Sequence, residues 1–140
     1  MKTVKLSPCE ENKFPDIPDL KFYRTEGDLF YFDAAQCLSK ADPTANVSVE
    51  DFLSKFDHLI GSLCENNAIV KDELTVTDDS GAIYLDECLV IPFLAYLDRS
   101  FGGYVIERME ELLMYGFTIN DSFCRFFHKA RFGDTPLAQL

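Results

Sequence analysis

Residues 81–115 read GAIYLDECLVIPFLAYLDRSFGGYVIERMEELLMY, and no other stretch of this length in the chain is as apolar. Positions 82–85 are short, apolar and partly β-branched, which predicts a strand. Leu89, Ile91, Phe93, Leu94 and Leu97 follow as a nearly continuous apolar run between Asp86-Glu87 and Asp98-Arg99, which predicts a first helix. Ser100 is a capping residue type for a second helix, in which Phe101, Val105, Met109, Leu112 and Leu113 recur at steps of three and four. Gly102-Gly103 sits near its start, where each glycine costs about 1 kcal/mol against Ala. A close helix crossing or a flexible helix start would account for the pair. The whole stretch reads as the core around which the rest packs.

Working outward, Asp78-Asp79-Ser80-Gly81 is a tight turn and 74–77 is the strand that pairs back, giving a hairpin. Before it, Ser48-Val49-Glu50-Asp51 has the form of a capping box. Phe52, Phe56, Leu59, Ile60 and Leu63 then make one stripe, which predicts a single amphipathic helix to about Cys64. Residues 21–25 and 29–32 form an earlier hairpin around Glu26-Gly27-Asp28. Asp33 is placed to cap a short helix over 34–39. Residues 1–19, broken by Pro8, Pro15 and Pro18, read as an irregular arm, either flexible or strapped across the domain. Gly116 is positioned to end the long helix, and Asn120 to cap a last one over 121–130. The fold class is therefore α+β: two short hairpins alternating with helix pairs in one compact domain, with a C-terminal helix. The divisions are an arm (1–19), a domain (20–116) and a helix with its tail (117–140).

Three ordered segments resemble the KilA-N family of phages and large DNA viruses. Ile83-Tyr84-Leu85-Asp86-Glu87-Cys88-Leu89, Ala95 to Phe101 and Val105-Ile106-Glu107 are similar to its "xWVHPxLAxxxAxWLSPEF" run and the helix after it. Leu29 to Leu38 is similar to its "YINATDLCKA" segment, and Ser48 to Leu53 to its "FSDWLR" segment. The likeness spans about residues 22–115. Asp86-Glu87 replaces the family's His-Pro pair, Pro92 lies inside the following helix, and Asp33 replaces an Asn. The resemblance implies a compact α+β domain, DNA binding and a phage or mobile-element origin, often alongside antirepressor-type regulatory domains.

Charge bears directly on that implication. The chain of 140 residues has a formal net charge of −11, which opposes a polyanion because phosphate contacts need Lys and Arg. Residues 29–80 hold three basic and ten acidic groups, whereas 117–140 hold three basic and two acidic. The second hairpin sets Lys71 against Asp72, Glu73, Asp78 and Asp79, and the helix from Ser48 sets Lys55 against Glu50, Asp51 and Asp57. Both would repel phosphate. The nucleic-acid candidates left are Arg125, His128, Lys129 and Arg131 on one side of the last helix, with Lys21 and Arg24 on the first hairpin. That last helix also reads as an ordinary amphipathic surface helix with Phe123, Phe126 and Phe127 turned inward.

Catalytic and metal chemistry finds no set of partners. Cys124 and His128 stand at i,i+4 with no further ligand at metal spacing. Glu107, Glu110, Glu111 and Asp98 have no base–nucleophile companion and read as a solvated face. No enzyme, cofactor or metal is expected. Five scattered cysteines without a CxxC pair argue for thiols in a reducing cytoplasm. The start MKTVKLSPCEENKFP lacks an apolar signal core, and the run 89–97 is too short to span a bilayer. The expected partners are thus DNA or, alternatively, a basic DNA-associated protein bound by an acidic module acting as inhibitor, antirepressor or nucleic-acid mimic. No membrane partner is expected, and a homo-oligomer is compatible with the sequence.

Overall fold

A computed structural model describes residues 1–10, 17, 19–118, 128–131 and 133. Its strands are β1 (Lys2–Thr3), β2 (Ser7–Pro8), β3 (Phe22–Arg24), β4 (Phe30–Asp33), β5 (Thr75–Thr77) and β6 (Ile83–Asp86). Its helices are α1 (Ala34–Ser39), α2 (Val49–Lys55), α3 (Asp57–Asn67), α4 (Val90–Leu97) and α5 (Arg99–Tyr115). Residues 128–131 are also helical. The fold is α+β, with the two expected hairpins, β3–β4 and β5–β6, joined through the antiparallel pair β4–β6.

The strand order is β1-β5-β6-β4-β3-β2. Both edges come from the first eight residues: β1 pairs parallel with β5, and β2 pairs antiparallel with β3. This constrains the shape. Four Cα steps from Thr3 to Ser7 reach at most about 14 Å, whereas six strands laid flat would set the outer two about 24 Å apart. The sheet must therefore curl until its edges approach each other. Val4 N–H donates to the Thr77 carbonyl and Cys9 N–H to the Phe22 carbonyl, each at 2.9 Å, fastening the strap at both ends. Of the two alternatives for the arm, this part is a strap. Pro8 lies in an edge strand, where a missing N–H is tolerated.

Strand alternation sorts the sheet into two faces. Phe22, Phe32 and Leu85 join Phe52, Ile60, Leu89, Val90 and Phe93 in the main core under the helices. Tyr31, Val76 and Tyr84 form a smaller cluster on the other face, covered by Val4 and Leu6 of the strap. Phe52 is the hub of an aromatic set, 5.0 Å from Phe93, 5.1 Å from Phe56 and 5.5 Å from Tyr96 between ring centroids.

The local devices follow the sequence with two exceptions. Asp33 caps α1 by accepting from the Gln36 N–H at 3.0 Å, and Gly116 ends α5 at φ +80°. Ser48 caps α2 through the Asp51 N–H at 3.0 Å. The return arm of that box runs through a third residue: the Tyr96 hydroxyl accepts from the Ser48 N–H at 3.2 Å and donates to Asp51 at 2.7 Å. The first exception is the helix expected to run unbroken to about Cys64. It breaks at Phe56 (φ −105°, ψ 19°) into α2 and α3, and α3 runs on to Asn67. The bend lets Phe52 and Ile60 both enter the core and leaves Leu59 outside. The second is the cap of α5, which is Asp98 and not Ser100. Its carboxylate accepts from the Ser100 N–H at 2.9 Å and the Phe101 N–H at 3.4 Å. Among the described residues no helix is long and apolar enough to cross a membrane.

Candidate functional site

Residues 81–115 divide into unequal halves. β6 and α4, with the turn between them, supply Tyr84, Leu85, Leu89, Val90 and Phe93 to the interior, all nearly or fully buried. α5 supplies no buried residue at all. The expectation that the whole stretch is core is therefore corrected for its second half. The cause is length. α4 has eight residues and α5 seventeen, about 12 Å against 25 Å at 1.5 Å per residue. α4 can flank only the beginning of α5. Gly102 rests there against Ala95, where an added Cβ would come within 3.5 Å of the alanine Cβ. One glycine of the pair thus serves the helix crossing, while Gly103 faces open space.

Beyond that crossing the apolar periodicity continues with nothing of the described fold under it. Ile106, Met109, Leu112, Leu113, Tyr115 and Phe117 are all at least half exposed, and Leu113 is 84% exposed. Arg108 lies on the flank of the helix, its guanidinium 5.0 Å over the Tyr104 ring and 2.7 Å from Glu111. Thr118 Oγ1 donates to the other Glu111 oxygen at 2.8 Å, so the chain turns back beside the helix after Gly116.

The nucleic-acid candidates are dispersed. Lys21 precedes β3 and Arg24 ends it, both exposed and about 10 Å apart along the strand. Lys129 and Arg131 are exposed and His128 is half-buried; Arg125 lies outside the described residues. Sequence reasoning missed Lys2 and Lys5, which the strap brings beside the first hairpin. They line a hollow of about 280 Å³ together with Glu26 and Glu73, so carboxylates interleave with the ammonium groups. The other lysines of the sheet–helix body are already paired: Lys40 with Asp19 (3.1 Å), Lys55 with Asp51 (3.1 Å) and Lys71 with Asp57 (3.2 Å). Asp51 is held below the usual carboxylate range, first by the Tyr96 hydroxyl and then by Lys55. At the tip of the second hairpin, Asp78 accepts from Ser80, from the Ala82 N–H and from the Tyr84 hydroxyl. That side chain builds the turn and is not presented outward.

Catalytic features are equally sparse. Burial pushes the thiols of Cys37 and Cys88 up to about 11 and about 12, with Asp33 and Asp86 respectively adding to the effect. Such thiols stay protonated and are poor nucleophiles at neutral pH. The Tyr31 hydroxyl donates to the Glu73 carbonyl at 2.7 Å and is pushed up to about 12, chiefly by burial. Asp86 is buried, its carboxyl raised by desolvation, and it accepts from the Cys88 N–H at 2.9 Å. A cleft of about 310 Å³ is walled mainly by Leu20, Leu94, Leu97 and Phe101; of its polar lining, Lys40 is paired with Asp19 and Asp98 is engaged in capping α5. Among the described residues no group of three or more His, Cys, Asp or Glu is arranged to hold a metal.

No protein-family model, curated protein or solved structure matches this chain. The likeness to KilA-N domains rests on the three segments alone, and a scaffold by itself does not carry an activity.

Proposed function

We infer that this chain is a protein-interaction module, built on a KilA-N-like scaffold, that works through the outer half of α5. The carrying observation is a helix whose apolar stripe runs on past the domain that anchors it. A helix apolar on most of its circumference is ordinarily buried, and the residues 112–115, Leu-Leu-Met-Tyr, are apolar all round and exposed. The acidic balance of −11, with Lys55 and Lys71 tied to Asp51 and Asp57, supports a protein partner over a duplex. An α+β domain is the class that a KilA-N-like scaffold would have.

A photo-crosslinker, p-benzoylphenylalanine, placed at Leu113 tests this in the cell that makes the protein. The reading expects one polypeptide adduct, identified by mass spectrometry and absent when the label is at exposed Glu50. No polypeptide adduct, or one to nucleic acid, overturns it.

The DNA-binding reading draws on a different observation. Lys2, Lys5, Lys21 and Arg24 lie in or beside β1, β2 and β3 and make no ion pair among the described residues. Titrating labelled duplex fragments by fluorescence anisotropy separates the two readings. Duplex binding through these groups gives a log–log salt slope of about −0.9 per phosphate contacted, whereas the interaction-module reading expects no binding even at low salt.

A further inference from the structure

The strap holds the sheet by both edges at once, and it holds lightly. Lys2, Thr3, Lys5, Ser7 and Pro8 are exposed, and only Val4 and Leu6 lay half-buried side chains on the Tyr31 face. Each of its pairings is two residues long. The β1–β5 pair is parallel, the weaker ladder per residue, and Pro8 brings no N–H to β2. Ordering the strap costs conformational entropy at every residue, and two half-buried side chains with a few backbone bonds offset little of that. A segment with so few buried apolar contacts opens locally, far more easily than the whole domain unfolds.

What the strap covers is deep by contrast. Tyr31, Val76 and Tyr84 are 2%, 1% and 6% exposed, and the Tyr23 ring stands 5.2 Å from Tyr84 beside them. With the strap released, the sheet is β5-β6-β4-β3. Both outer strands then present unpaired N–H and C=O groups, the template on which a further strand adds. An aromatic floor lies between them. The strap is itself the pattern of what fits there. Val4 and Leu6, two positions apart, both reach that floor. Lys2 and Lys5 line a hollow with Glu26 and Glu73, and a net charge of −11 favours a cationic occupant over an acidic one.

We propose that the edges and floor of this sheet are a strand-addition site for an extended peptide with lysines beside alternate apolar residues, occupied intramolecularly by residues 1–9 as a displaceable clasp. The site uses none of the α5 residues, so it stands or falls apart from the reading of that helix.

A fluorescein-labelled peptide of residues 1–10 carrying Cys9→Ser is the probe, followed by anisotropy against the full chain. The parent should bind it weakly, because its own strap competes for the site. Val4→Ser combined with Leu6→Ser in the full chain loosens the strap and leaves the sheet intact, and should tighten peptide binding at least ~10-fold. A peptide carrying the same two serines should not bind, and high NaCl should weaken the complex. In the parent alone, the Val4 and Cys9 amides, which bond to Thr77 and Phe22, should exchange at least ~100-fold faster than the β4 and β6 amides after correction for intrinsic rates. Strap amides that exchange only as slowly as β4 and β6 overturn the proposal, as does a peptide that binds neither protein or binds parent and double variant equally. Should the double variant lose its circular dichroism, the exchange rates and peptide binding to the parent decide the question.

Discussion

Phe93 and Leu113 occupy comparable places in the apolar stripes of consecutive helices, yet Phe93 is 0% exposed and Leu113 is 84% exposed. α4 lies between two aromatic partners, Phe32 at 5.8 Å and Phe52 at 5.0 Å from the Phe93 ring. α5 touches its own domain over its first turns and then outruns it. Two stretches with the same periodicity thus do different work: one closes a core, and the other carries uncovered apolar surface to a place where a partner can reach it. Periodicity records that a helix has an apolar side, not what covers it.

The contrast between the two helices breaks most visibly in the core. Phe93→Ala should cost about 3–5 kcal/mol in urea unfolding, a large part of the stability of a small domain. A loss below ~1 kcal/mol would mean that α4 is not the core helix described. Asp86 comes next. Burial raises its folded pKa above the unfolded value of about 3.9, so the folded state holds the proton more tightly than the unfolded one. Its contribution is most favourable at low pH and falls as pH climbs through the folded pKa, levelling off above it. Asp86→Asn, whose amide oxygen still accepts from the Cys88 N–H, should therefore melt above the parent at pH 7. The gap should close toward pH 3, and a pH-independent gap contradicts this.

Two helix caps sharpen the same comparison at about 1 kcal/mol each. Ser48→Ala removes the side-chain cap of α2 while the Tyr96 link, made by the Ser48 backbone N–H and by Asp51, stays, and it should lower global stability. Asp98→Ala releases only the start of α5, and should loosen amide protection in α5 while leaving the β6 and α4 amides as they were. Equal loosening of both helices would mean that α5 is as integral as α4. Ala68→Gly should add about 0.5–1 kcal/mol, because Ala68 closes α3 at φ +54°, where glycine carries no Cβ penalty. Leu113→Ala, at a side chain that is 84% exposed, should change stability by less than about 0.5 kcal/mol.

Much of this fold was legible because its signals are local. The hairpins around Gly27 and Gly81, the caps at Asp33 and Ser48 and the stop at Gly116 each depend on a few adjacent residues. What escaped depends on distance. The strands Lys2–Thr3 and Ser7–Pro8 exist only because partners at Val76 and Arg24 lie beside them, and a two-residue strand has no period to read. The bend at Phe56 is invisible because the apolar stripe passes through it unbroken. Asp98 and Ser100 are both capping types two positions apart, and only geometry chooses between them. The basic positions Lys21, Arg24, Lys129 and Arg131 could be listed from sequence, but not that Lys2 and Lys5 come beside the first hairpin with Glu26 and Glu73 among them. The α5 surface was read as a stripe and assigned to the core: the stop of α4 before Asp98 was legible, but not that so short a helix leaves the outer half of α5 uncovered by the described fold.

The most direct test of the division between the halves is hydrogen–deuterium exchange of the full chain across residues 81–115. The β6 and α4 amides should show strong protection, while the outer turns of α5 exchange faster, as an uncovered helix does. Protection of the outer turns of α5 that matches α4 would contradict the account, because it would mean that the chain covers this helix by itself.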